Sequence, residues 1–71
     1  MQNRINVLVD GKVVGTVLAF PNFTGAEAKA QLEGGHGSAI RVILLYGDVA
    51  HIEAATFDAA RALPSFSAAT A

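Results

Sequence analysis

The sequence predicts a small α+β domain built in the order β-hairpin, helix, strand, helix. Three observations predict it. Asp10-Gly11 sits between two runs of strand-forming residues, and a two-residue hairpin turn needs positive φ at both central positions, which Gly tolerates freely and Asp better than most. Thr24 is followed three residues later by Glu27, ahead of an alanine-rich stretch, which is the spacing of a helix-capping box. Ile40-Arg41-Val42-Ile43-Leu44-Leu45-Tyr46 lacks the polar alternation of a strand with one wet face, so it reads as a strand that needs cover on both sides.

The hairpin is expected over residues 4–20. With Asp10-Gly11 at the turn, Val9 faces Lys12, Val7 faces Val14 and Ile5 faces Thr16. Ile5, Val7, Val9, Val14, Leu18 and Phe20 then share the core face. The reverse face carries Asn6, Leu8, Val13, Gly15, Val17 and Ala19. Pro21 has no N–H for a ladder and ends the strand. The first helix is expected over 25–33, capped by Thr24, stapled by Phe23 on Ala28 and stopped by Gly34-Gly35. A flexible connector over 34–38 leads to the third strand at 40–46.

The stretch after Gly47 admits two readings. Asp48 can cap a helix over 49–63 that ends at Pro64, placing Val49, Ile52, Thr56, Ala59 and Leu63 on one side. The many alanines support this reading. Alternatively, Gly47-Asp48 is a hairpin turn and 51–57 is a fourth strand, which Ile52, Thr56 and Phe57 suit. The helix is the preferred reading. The alternative, hairpin–helix–hairpin, resembles the β-grasp architecture in its order of elements. Residues 1–64 are expected to form one domain, and 65–71 a flexible C-terminal tail.

At 71 residues a domain buries only ~60% of the surface its unfolded chain exposes. Small domains find added stability in disulfides, metals or oligomerisation. There is no cysteine, and the two histidines lie 15 residues apart with no ligand cluster around them, so association is the route that remains. Five basic against six acidic residues disfavour nucleic acid, whose binders carry a basic excess. Charged residues are 15% and hydrophobic residues 52% of the chain, a low charge content for a solvated monomer. No run of apolar residues is long enough to cross a membrane, and the start of the chain is too short and interrupted for a secretory signal. A cytoplasmic location is the expectation.

No catalytic, metal or cofactor motif is present in the sequence. Gly34-Gly35-His36-Gly37 follows a helix, where the dipole end repels anions, and contains no phosphate-loop pattern. The serines and threonines carry no nucleophile signature. His51 and Glu53 would share a strand face only in the fourth-strand reading. The feature that points to function is the apolar reverse face. Leu8, Val13, Val17 and Ala19, together with Ile43 and Leu45 of the third strand, are the candidate interface. The sequence therefore suggests a small non-catalytic binding module, acting as a homo-oligomer or docking on a larger protein. Chains of this kind serve as subunits, adaptors and inhibitors, including ones encoded by phages and mobile elements. The alternative is a small-ligand binder with a pocket between protomers near His36, Tyr46 and His51.

Overall fold

A computed structural model describes residues 4–69. The class is α+β, and the described residues form five strands in one mixed sheet and two helices. In chain order these are β1 (Arg4–Val9), β2 (Lys12–Leu18), α1 (Gly25–His36), β3 (Ile40–Leu45), β4 (Asp48–Ala54), α2 (Phe57–Arg61) and β5 (Ser67–Ala68), with a single 3-10 turn at Gly37–Ala39. The sheet order is β3-β4-β1-β2-β5. Both hairpins are antiparallel, and their inner strands β1 and β4 run parallel side by side. The alternative sequence reading, hairpin–helix–hairpin, is thus the order observed.

The helix expected over 49–63 is replaced by β4 and the five-residue α2. Asp48 opens a strand instead of capping a helix. The physical reason is position. β4 lies between β3 and β1, so its backbone finds ladder partners on both sides, and Ile52 and Ala54 reach the core. Alanine's helix preference, at most about 0.7 kcal/mol per residue over ordinary residues, does not offset leaving β1 and β3 without that partner. Thr56 caps α2, its hydroxyl accepting the Ala59 N–H at 3.1 Å. Pro64 lies just past the helix, as a stop signal should.

Both hairpin turns carry the expected backbone. Asp10 and Gly11 have φ of 53° and 78°, and Tyr46 and Gly47 have φ of 55° and 86°. The second turn is therefore Tyr46-Gly47, one residue earlier than the sequence suggested. Each hairpin also contains a bulge. Val9 faces Lys12 and Leu8 faces Val13, but Val7 faces Gly15 and Ile5 faces Val17. The extra residue is Val14. In the second hairpin Leu44 faces Val49 while Ile43 faces His51, which leaves Ala50 over. A single extra residue exchanges the faces of everything beyond it. Val17 consequently belongs to the core and is 1% exposed, which corrects its expected place on the reverse face. Ala19 also packs against the core.

The core lies on one side of the sheet. Ile5, Val7, Val17, Val42 and Ile52 meet Leu32 from α1, Ala60 from α2 and Leu63 just beyond α2. The helices divide this face: α1 lies over β3 and β4, and α2 over β1, β2 and β4. The molecule is 19 Å deep and 30 Å across, the depth of one sheet and one helix layer. Thr24 caps α1 as predicted, accepting the Glu27 N–H at 3.2 Å. The helix does not stop at Gly34-Gly35. It runs on to His36 and ends at Gly37, whose φ is 62°. A Cβ at Gly34 would meet nothing within 4 Å. Gly34→Ala should therefore stabilise the domain by about 0.5–1 kcal/mol, raising the melting temperature by about 4 °C; a melt that falls would mean α1 ends before this residue.

Residues 65–69, expected to lie outside the domain, run along β2. Gly15 faces Ala68 and Thr16 faces Ser67, and the Ala69 N–H donates to the Val14 carbonyl at 3.0 Å. Phe66 packs against the core and meets Phe57 edge-on at 6.2 Å. Residues 70 and 71 of the expected tail lie outside the described residues.

Candidate association surface

Strand pairing defines the side of the sheet that no helix covers. Because side chains alternate along a strand, the register sets one row of Arg41, Glu53, Leu8 and Val13 across the sheet. The next row is Ile43, His51, Asn6, Thr16 and Ser67. Nearest the β3–β4 turn lie Leu45 opposite Asp48, and Arg4 opposite Leu18. Four of the six expected interface residues, Leu8, Val13, Ile43 and Leu45, are on this open face. Val13 and Leu45 are 48% and 58% exposed. The other two, Val17 and Ala19, serve the core.

The open face has a pattern. Leu8 and Val13 form an apolar cross-strand pair at one corner, on the β1–β2 side. Ile43 and Leu45 form a second apolar corner on β3. Between them runs a polar band of Arg4, Asn6, Thr16, His51, Glu53 and Arg41. Arg4 donates to the Thr16 hydroxyl, and His51 Nε2 approaches Glu53 Oε2 at 3.5 Å. Among the described residues of this face Arg4 and Arg41 balance Asp48 and Glu53, so the face has no field of one sign.

The sheet edges are occupied. β3 is an outer strand, and its Val42 N–H is taken by Glu33 Oε2 at 2.9 Å. The same carboxylate lies 3.9 Å from Lys29 Nζ, one helical turn earlier. A carboxylate on an edge N–H blocks strand addition there. The other edge ends in β5, only two residues long. Short terminal strands are a second way of blunting an edge. Sequence reasoning missed both devices. Glu33 gives no signal beyond its pairing distance from Lys29, but Phe66, the only large side chain after Pro64, marks an anchor.

Within one chain, the residues expected to line a pocket between protomers are not brought together. His36 ends α1. Tyr46 is at the β3–β4 tip and 96% exposed. That tip abuts the beginning of α1, since a Cβ on Gly25 would lie 2.1 Å from the Gly47 carbonyl oxygen. His36 and Tyr46 are therefore at opposite ends of the α1–β3 layer, and His51 is on the face away from α1. A cleft of about 370 Å³ does exist at the α1 start, lined by Arg4, Phe20, Phe23, Thr24, Asp48 and Val49 among others. Sequence reasoning did not find it, because its walls come from separate parts of the chain: the starts of β1 and β4, the 19–24 loop and α1.

Among the described residues no group of three or more His, Cys, Asp or Glu side chains is placed to hold a metal ion. Among the same residues no helix is long and apolar enough to cross a membrane. Comparison of this chain with protein-family models, with curated proteins and with solved structures returns no match.

Proposed function

We propose that this chain is a small non-catalytic binding module that acts by association, and that the open face of its sheet docks on a second copy of itself. The observation that carries this is the one-sided cover: both helices pack on one face, while the other bears two apolar corners flanking a charge-balanced band. A two-fold axis through such a face sets the Leu8–Val13 corner of each copy on the Ile43–Leu45 corner of the other, the self-complementarity an isologous dimer requires. The balance of charge favours a second copy over a phosphate backbone or an anionic surface. Four strands about 4.8 Å apart and six residues long give a face of roughly 20 by 20 Å, about half the area per partner of a standard interface, which suits a weak, concentration-dependent dimer. The guarded edges favour the face over edge pairing as the route.

Sedimentation from micromolar to millimolar concentration tests this. The parent should be a dimer whose melting temperature rises with concentration, because association is linked to folding. Val13→Lys should be a monomer with a concentration-independent melt. A parent that stays monomeric and binds no apolar dye would overturn the proposal; a monomer that does bind the dye would move the reading to an adaptor or inhibitor on a larger protein. A second reading, a small-ligand binder, is favoured by the cleft at the α1 start, whose size lies within the usual range for ligand sites. Its test is a gain in melting temperature with a panel of small aromatic compounds.

A further inference from the structure

The edge of β2 is closed by a segment with a single side-chain anchor. Of residues 65–69 only Phe66 is large, and Ser67, Ala68 and Ala69 are exposed. The Phe66 ring lies where a Gly15 side chain would be: a Cβ there would sit 2.5 Å from Phe66 Cζ and 2.5 Å from the Ser67 carbonyl oxygen. Gly15 and its bulge thus form a socket for an aromatic residue followed by small ones. The connection between α2 and β5 is short, residues 62–66, and contains Pro64. Its next residue, Ser65, is held at φ 57°, a left-handed conformation that a residue with a Cβ adopts rarely. In the closed form Ser65 is fixed by the Leu18 N–H donating to its Oγ at 3.2 Å and by Arg4 donating to its carbonyl at 3.4 Å.

We infer that β5 exchanges between copies, the 67–68 strand of one chain pairing with β2 of another and its Phe66 ring seating on the second chain's Gly15. The exchanged pair makes the same ladder and the same aromatic contact as the closed form, so those terms cancel. What changes is the connection, which straightens and releases Ser65 from its left-handed turn. A short, strained hinge before a small terminal element is the condition that invites exchange. In dilute solution the tether favours closure; at high concentration mass action favours exchange.

The chain has no cysteine, so engineered thiols report cleanly. Thr16 and Ser67 face each other across β2 and β5, a separation a disulfide can span. Thr16→Cys and Ser67→Cys chains, one of them mass-labelled, are mixed at high concentration, oxidised and separated without reductant. Exchange predicts a mixed disulfide dimer at close to twice the one-half share that random pairing of equal amounts gives, and a return toward one half when both chains also carry Ser65→Asn, which relaxes the left-handed hinge while keeping a side-chain acceptor for the Leu18 N–H. The doubly substituted chain, oxidised when dilute, should close on itself as a monomer. A mixed dimer at its statistical share beside that closed monomer overturns the proposal, and so does a double variant that fails to close. Repeating the mixture in a Val13→Lys background separates this edge from the open face: exchange through β5 survives that change, and docking through the face does not.

Discussion

Val17→Lys should unfold the domain at physiological temperature, whereas Val13→Lys should leave its stability almost unchanged. Both residues are valines of β2, four apart. Val17 is 1% exposed beside Ile5, and Val13 is 48% exposed opposite Leu8. Placing an ammonium at Val17 removes about 1.5–3 kcal/mol of apolar burial and adds several kcal/mol for an unpaired buried charge. A domain of this size holds about 4–10 kcal/mol in total, so the change consumes most or all of it. At Val13 the ammonium reaches water, and the effect should stay within about 0.5 kcal/mol once dimer dissociation is separated out by measuring at low concentration. Circular-dichroism melts of the two variants decide it. If Val17→Lys melts like the parent and Val13→Lys collapses, the hairpin lacks its bulge at Val14 and the faces of β2 are reversed.

Gly25→Ala should cost about 1–3 kcal/mol, a loss of about 5–20 °C in melting temperature. Two effects oppose each other here. Alanine is the better helix former by about 1 kcal/mol, and Gly25 is the first residue of α1. Against that, its Cβ would lie 2.1 Å from the Gly47 carbonyl oxygen and 3.0 Å from the Gly47 carbonyl carbon. Those atoms are backbone and cannot rotate away. The helix start must lift from the β3–β4 tip, or the tip must bend. Packing wins, so the sign is opposite to that at Gly34, where the space is open. Paired denaturant melts of Gly25→Ala and Gly34→Ala test the contrast directly; two stabilised proteins would show that α1 does not rest on Gly47.

The candidate surface was legible in outline and not in detail. That one face of the sheet would stay open follows from an order of elements with too little chain to cover both. Which residues occupy that face depends on register, and a bulge is one residue wide. Leu8 and Val13 lie before the bulge, next to the turn that sets the register, and the sequence placed them correctly. Val17 lies beyond it and exchanged faces. On β3 the register mattered less, because Ile43 and Leu45 share a face whichever partner they meet. His36, Tyr46 and His51 were grouped by their chemistry for a pocket between protomers, and within one chain they lie apart.

What the sequence determined by itself is local. Asp10-Gly11 set the first turn, Thr24 set the start of α1, and the apolar run at 40–46 set β3, because each rests on backbone chemistry within a few residues. The tertiary structure decided the rest. Residues 48–54 carry helix-forming alanine at Ala50 and Ala54, yet they became the strand between β1 and β3, where their backbone has a ladder partner on each side. Residues 65–69 have no strand pattern of their own. They became β5 because Gly15, fifty residues away, leaves room for the ring of Phe66, and a cavity of that kind exists only once the chain has folded.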